Sequence, residues 1–190
     1  MNQPIRTTCE QARTWLDSDH APTVVDVRTP AEFSAEHLPG SVNIPLDLIR
    51  EHPAEIGRAA GGEVLLVCRT DNRAGQAAEL LAPTLGERAH VLAGGTSGWA
   101  EHGGAMQRGS STVWAMDRQV RATAGALVLT GILASAVVPR AKWLAGGIGA
   151  GLLYSGVSDT CAMANLLSRA PWNRKGTPSL AQARRVLASR

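Results

Sequence analysis

A chain of 190 residues, 44% hydrophobic and 18% charged, has room for one ordinary globular domain and an appendage. Its three cysteines, Cys9, Cys68 and Cys161, are odd in number and far apart, which argues against a disulfide framework and fits a reducing compartment. The net charge of +3 conceals an asymmetry: residues 1–110 carry nine Arg against fourteen Asp or Glu, whereas residues 111–190 carry ten Arg or Lys against Asp117 and Asp159 alone. The basic charges flank apolar runs rather than forming one stripe, and no nucleic-acid motif is present, so no nucleic-acid partner is expected. Residues 1–11 contain no apolar stretch, so no cleavable secretory signal is expected.

Residues 9–18 read as a helix, with Thr8 and Gln11 forming a capping box at its start. Residues 23–28, 41–45, 64–68 and 90–94 read as short strands. Residues 45–57 read as a helix, as does the stretch from Arg73 to Leu81, where Ala74, Ala77, Ala78 and Leu81 fall at helical spacing. Continuous apolar strands alternating with helices imply an α/β fold with a mostly parallel sheet flanked by helices. In such folds small-molecule sites lie beyond the carboxyl ends of the strands.

Cys68 stands at one of those ends, where the apolar run 64–67 gives way to Cys-Arg-Thr-Asp-Asn-Arg and then to a helix. Backbone N–H groups at such a junction and the positive end of the helix favour a thiolate and hold an anion. Arg69 and Arg73 add fixed positive charge within the same few residues. A cysteine after a strand is also commonly a small buried hydrophobe, so other parts of the chain must decide between a packing role and a nucleophile.

The second half differs in character. Residues 122–138 form seventeen residues without a charge, residues 139–142 interrupt, and residues 143–158 form sixteen more before Asp159. Each run approaches the length of a membrane span, and the short connection makes the pair a helical hairpin. Arg121 and Lys142 are placed to snorkel, and Trp114, Trp143 and Trp172 lie near the expected interfaces. Gly147 with Gly151, and Gly131 with Ser135, are small pairs that permit close helix packing; a homodimer through the Gly147/Gly151 face is expected. Arg108, Arg118, Arg121, Arg169, Arg174 and Lys175 flank the hairpin, against Arg140 and Lys142 in its loop, which places both termini in the cytoplasm. Residues 178–190 read either as a basic amphipathic helix, with Leu180, Ala183 and Leu187 on one side, or as a solvated tail.

Residues 24–46, "VVDVRTPAEFSAEHLPGSVNIPL", resemble the N-terminal signature of rhodanese-homology domains. "VCRTDNRA", residues 67–74, resembles their Cys-x4-Arg active-site loop, and "LAGGTSGWAEHGG", residues 92–104, their C-terminal signature. The three occur in the family order over about the first 105 residues. From "MDRQVRATAG" through Tyr154, Cys161 and "PWN", the second half is similar to the hairpin of membrane-anchored rhodaneses of the YgaP type. The resemblance implies a rhodanese domain over 1–107, a linker or interfacial segment over 108–121, a two-helix transmembrane hairpin over 122–168 and a basic cytoplasmic tail over 169–190. It places the protein in the cell inner membrane with two spans, and with its rhodanese domain and C-terminus in the cytoplasm.

The resemblance also implies sulfurtransferase chemistry. Cys68 takes the sulfane sulfur of thiosulfate or a persulfide and passes it, as a persulfide, to a thiol or to cyanide. Arg69, Thr70, Asp71, Asn72 and Arg73 bind the small anionic donor, and neither cofactor nor metal is required. Arg73 matches the arginine that closes and braces the loop. Asp26, Arg28 and Glu32 read as a structural polar network, Gly40 as a turn, Gly94, Gly95 and Trp99 as the last strand-to-helix connection, and His37 as structural. Related loops often carry Gly where this chain has Asp71, and a carboxylate there opposes both a thiolate and an anionic donor; weaker thiosulfate activity is the expectation. A phosphatase of the same fold resembles Cys-x5-Arg, one residue longer. The alternative is a redox or regulatory module in which persulfidation or nitrosylation of Cys68 is the signal, with Cys161 as a second responder.

Overall fold

The computed structural model describes residues 4–109, 116–158, 162–168, 170–174 and 176–189. They divide into two units, Met1–Thr112 with Lys175–Arg190, and Val113–Arg174. Cys161 and Asp159 lie outside the described residues, as do Trp114, Arg169 and Lys175.

The first unit begins with an edge strand, Ile5–Thr7 (β1), that carries no apolar alternation. Thr8 then caps Cys9–Leu16 (α1): its side chain accepts from the Gln11 N–H while the Gln11 side chain accepts from the Thr8 N–H, the reciprocal box expected from the sequence. After Thr23–Asp26 (β2), Thr29 and Glu32 build a second box around Pro30–Ala35 (α2). Pro30 occupies the first helical turn, where its missing N–H has no helical partner to lose. Glu36–His37 (β3) and Val42–Asn43 (β4) follow. The helix expected over 45–57 is two helices, Leu46–Glu51 (α3) and Pro53–Ala59 (α4). Pro53 disfavours helical backbone at the residue before it, and His52 sits at φ −137°, ψ 51°. Val64–Val67 (β5), Asn72–Leu85 (α5), Ala89–Leu92 (β6), Gly95–Glu101 (α6) and Gln107–Arg108 (β7) complete the run.

Five strands form a wholly parallel sheet in the order β1-β6-β5-β2-β4, while β3 and β7 form a small antiparallel ladder. Helices cover both faces. On one, Val24, Leu65 and Val67 pack with Cys9, Ala12, Leu38, Leu92 and Trp99; on the other, Val25, Val64 and Leu66 pack with Ile49, Ile56, Ala74, Ala78 and Leu81. Successive strand residues thus serve opposite faces, which is why these runs are apolar throughout. Register aligns Asp26 with Val67 and with Asn43, so the carboxyl ends of the neighbouring strands β5, β2 and β4 open at one end of the sheet.

The second unit consists of Met116–Ala134 (α7), Lys142–Ser158 (α8), Ala162–Ser168 (α9) and Pro171–Arg174 (α10), with a 3-10 turn at Pro139–Ala141 between the first two. Gly131 lets α7 approach that turn: a Cβ there would lie 3.1 Å from the Ala145 nitrogen and 3.2 Å from the Ala141 oxygen. Gly147 and Gly151 face open space instead. Gln119 and Asn173 exchange amide hydrogen bonds at 3.0 and 2.9 Å, and Trp172 Nε1 donates to Gln119, so α7 and α10 are joined by a satisfied polar cluster. Leu129, Ile132, Leu133, Leu153 and Val157 point outward.

The hairpin expected from the sequence is present, but two full spans are not. No helix among the described residues is long and apolar enough to cross a membrane. The apolar run from residue 122 leaves the helix at Ala134, because Val138 precedes Pro139 and takes extended backbone at φ −117°, ψ 94°. The 17 residues of α8 cover roughly 25 Å, against a hydrocarbon core of about 30 Å.

The chain then returns to the first unit. Ser179 and Gln182 cap Leu180–Ala188 (α11) with a third reciprocal box. The three apolar positions read from the sequence do face one way: Ala183 and Leu187 are buried and Leu180 is partly so, in the core layer that holds Ile56 and Ala60. Arg184 and Arg185 face outward.

Candidate active site

Cys68 is the first residue after β5, and its sulfur, in a residue 1% exposed, sits at the floor of the loop that leads into α5. The N–H groups of Asp71 and Ala74 donate to Sγ at 3.2 and 3.4 Å. The second of these lies one residue beyond the donors expected from the loop alone. It belongs to the first turn of α5, so the sulfur occupies the place of an N-cap acceptor and meets the positive end of a 14-residue helix.

The loop keeps its amides inward because its carbonyls are engaged elsewhere. The Cys68 oxygen accepts from Thr96 N–H at 2.8 Å, the Arg69 oxygen from Ser97 N–H at 3.1 Å, and the Asp71 oxygen from Gly75 N–H at 2.8 Å. The start of α6 therefore serves as a rail for the loop. Gly95 permits that approach: its φ is +58°, and a Cβ there would lie 2.3 Å from the Cys68 oxygen.

Arg73 ends the loop and donates from both terminal nitrogens to Glu32, at 2.8 Å each. Burial pushes the Glu32 carboxyl up, but the hydrogen bonds and charge of Arg73, with help from the Thr29 amide and Arg28, outweigh it and hold the carboxyl down at about 2. The same pairing raises the Arg73 guanidinium against its own burial. Beside it, Arg28 grips Asp26 through Nε and Nη2, the closest contact being 2.6 Å, and reaches the Glu36 carbonyl and Thr96 hydroxyl. The polar network read from the sequence is thus two adjoining pairs, with Glu32 serving Arg73 rather than Arg28.

Arg69 and Thr70 are exposed on the loop, and Asn72 accepts from Gln76 at 2.7 Å one helical turn on. Asp71 is the only non-glycine residue at positive φ among the described residues, at φ 117°, ψ −17°. Its carboxylate accepts from Arg6 of β1 at 2.7 Å and lies 3.5 Å from the Gly94 N–H. Sequence reasoning missed Arg6, because nothing local marks β1 as a strand or points it across 65 residues to the loop. His37 donates from Nδ1 to the Phe33 carbonyl at 2.7 Å and stacks on the Phe33 ring, in keeping with a structural role.

The two described cysteines are opposites. Cys9 Sγ donates to the Ala93 carbonyl at 3.6 Å, and burial pushes its thiol up despite nearby Arg13. Cys68 Sγ accepts from two amides. The first is a packed thiol, the second a sulfur placed to receive negative charge. Among the described residues no three His, Cys, Asp or Glu side chains gather into a metal-binding group.

Comparison with known proteins identifies the family. Residues 8–102 match the family model of the rhodanese-like domain, and residues 113–177 match that of the inner membrane protein YgaP-like transmembrane domain. An uncharacterized protein of Synechocystis, slr1261, is 39% identical over 160 residues, covering 84% of this chain and 88% of its own. A sulfurtransferase of Allochromatium vinosum is 35% identical over 80 residues, covering 42% of this chain and 73% of its own. The thiosulfate sulfurtransferase PspE of Escherichia coli is 34% identical over 58 residues, covering 30% and 56%. Among solved structures, a rhodanese-related protein from Thermoplasma volcanium superposes with a TM-score of 0.47 at 26% identity, covering 54% of this chain and 97% of its own. The chain belongs to the rhodanese-like family, and a YgaP-like transmembrane domain follows its rhodanese fold.

Proposed function

We propose that this protein is a membrane-anchored sulfurtransferase that carries sulfane sulfur on Cys68. The observation that carries the reading is the position of Sγ, which accepts from two inward amides at the start of a helix inside a Cys-x4-Arg loop. The Cys68 thiolate attacks the outer sulfur of thiosulfate; a sulfur–sulfur bond forms on the enzyme, the one in the donor breaks, and sulfite leaves with the electron pair. With a persulfide donor the leaving group is the thiolate. The Cys68 persulfide then gives its terminal sulfur to cyanide, releasing thiocyanate, or to a thiol, which becomes a persulfide, and the Cys68 thiolate returns. No base is needed once the thiol is ionised. Asp71 and Ala74 amides stabilise the sulfur at each stage, Arg73 fixes the end of the loop, and Arg69, Thr70 and Asn72 border the path of the donor.

The match of residues 113–177 to a membrane domain and the outward apolar side chains of α7 and α8 support anchoring in the inner membrane as a short hairpin. Residues on both sides of that hairpin belong to one folded unit, which supports an arrangement with the catalytic domain and the C-terminus on the same, cytoplasmic, side. The open face at Gly147 and Gly151 suits pairing with a second copy.

Intact-mass measurement after thiosulfate treatment tests the chemistry. The expected result is a gain of one sulfur atom that is discharged by cyanide and absent in Cys68→Ser. The burial of Cys68 gives some support to a second reading, in which its modification is itself a signal. Stoichiometric labelling without repeated turnover would favour that reading, and continuous thiocyanate production would favour the enzyme.

A further inference from the structure

Three arginines around the loop each meet a carboxylate: Arg28 meets Asp26, Arg73 meets Glu32 and Arg6 meets Asp71. The first two pairs are largely buried and hold the fold. The third is different. The Arg6 side chain is 61% exposed and that of Asp71 is 23% exposed, and they meet on the outer rim of the loop that begins at Cys68. Asp71 also supplies the amide 3.2 Å from Sγ, so its carboxylate stands close to any donor that reaches the sulfur. Side-chain capping of α5 by Asp71 is absent, although it occupies the capping position. Instead it is spent on Arg6 in a strand 65 residues away.

Resting on the sulfurtransferase reading above, we propose that the Arg6–Asp71 pair sorts sulfane donors by charge. Donors with one negative charge or none are favoured, and the thiosulfate dianion is disfavoured. Asp71 offsets the Arg6 charge, which would otherwise add to that of exposed Arg69 in drawing in a dianion, and Arg6 keeps the carboxylate from repelling every anion. Removing Asp71 alone leaves the rim more positive by one charge, and removing Arg6 alone leaves it more negative by one. Removing both restores the balance. Because Coulomb energy scales with the charge of the donor, a dianion must respond about twice as strongly, on a logarithmic scale, as a monoanion. At separations of several ångströms in a solvated rim, this amounts to about tenfold for a dianion and about threefold for a monoanion.

Methanethiosulfonate separates charge from chemistry. It presents the same sulfane sulfur, attacked by the same thiolate with release of a sulfinate in place of sulfite, but carries one negative charge fewer than thiosulfate. The test uses full-length protein in detergent, cyanide as acceptor, and the variants Arg6→Gln, Asp71→Asn and the double substitution; Asn tolerates the positive φ at this position. The expected kcat/KM for thiosulfate rises about tenfold in Asp71→Asn and falls about tenfold in Arg6→Gln, with about threefold changes for methanethiosulfonate. The double variant returns towards the unmodified values, and 0.5 M salt, roughly, compresses all the differences. Equal factors for both donors, or a double variant worse than either single, would overturn the proposal, because loop damage ignores substrate charge.

A second measurement is independent of turnover. Alkylation of Cys68, read by peptide mass, is compared for anionic iodoacetate and neutral iodoacetamide. The rate ratio is expected to rise about threefold in Asp71→Asn and fall about threefold in Arg6→Gln. An unchanged ratio overturns the charge-sorting role. A shifted ratio in a protein that turns over neither donor leaves charge sorting standing and refutes the sulfurtransferase reading.

Discussion

Arg73 and Glu32 are 41 residues apart and make a two-toothed ion pair, 2.8 Å at each contact, that ties the end of the cysteine loop to the second helix. Glu32 performs two further tasks, accepting from the Thr29 amide and hydroxyl at the start of its own helix. One carboxylate thus caps a helix and braces the loop on which the sulfur rests.

The pair makes stability acid-sensitive in a defined window. The Glu32 carboxyl is held at about 2 in the folded protein, below its ordinary value of 4.5. Its contribution is complete above the ordinary value and is lost as pH falls from there through about 2. The difference corresponds to roughly 3 kcal/mol. Glu32→Gln is expected to lower stability at neutral pH by about 3 kcal/mol, since Arg73 loses a buried partner, and to flatten the acid limb of the curve. Urea unfolding of the two proteins across pH 2 to 6, approximately, reads both effects; an equally steep acid limb in the variant would assign the sensitivity to other carboxylates.

Gly95 is where the loop and α6 come closest. In Gly95→Ala the added carbon meets the Cys68 and Arg69 carbonyl oxygens, which are backbone and cannot rotate aside. Overpacking of this kind costs about 1–3 kcal/mol, and here the yielding element is the loop itself. Turnover is expected to fall more than tenfold, roughly, because a displaced loop withdraws the amides from Sγ. Gly75→Ala is the contrasting change: it lies in α5 with open space around it and should gain up to about 1 kcal/mol.

The parts legible in the sequence are those encoded locally. The run 64–67, the start of α5 and the Thr8–Gln11 box each follow from a few neighbouring residues, and they are enough to place Cys68 at a strand end. The parts that were not legible depend on distant partners. β1 is three residues long with only Thr7 buried, and it exists because β6 offers it a parallel edge. Arg6 travels with it, so the partner of Asp71 could not be read. The break at His52 was in principle readable from Pro53, and the early end of α7 from Pro139. Apolar composition concealed the second, since a run of uncharged residues shows no period when its helix stops.

α11 lies beyond the residues matched by either family model, yet its apolar face is part of the core of the first unit. Leu187 is 3% exposed. Leu187→Ala is expected to cost about 2–4 kcal/mol, whereas Val186→Ala, on the more exposed side, should change little. Thermal unfolding of the detergent-solubilised protein distinguishes them. Equal, small shifts would mean that α11 detaches at little cost and contributes no core.

Asp71 combines a charge effect with a backbone effect, and Asp71→Gly separates them from Asp71→Asn. At φ 117° the residue holds a conformation that glycine adopts freely and side chains rarely do. Replacement by Gly relieves that strain, and the expected gain is up to about 1 kcal/mol after the entropy that glycine costs. It also frees Arg6, so thiosulfate kcat/KM should rise as in Asp71→Asn. If Gly stabilises the protein and Asn does not, while both raise thiosulfate turnover equally, then strain and charge act independently at this position. If only Gly raises turnover, the gain comes from loop geometry and charge has no part in it. Asp71→Ala is the discriminating third variant: it removes the charge but keeps the unfavourable φ, and it should match Asn in turnover while falling below both Asn and Gly in stability.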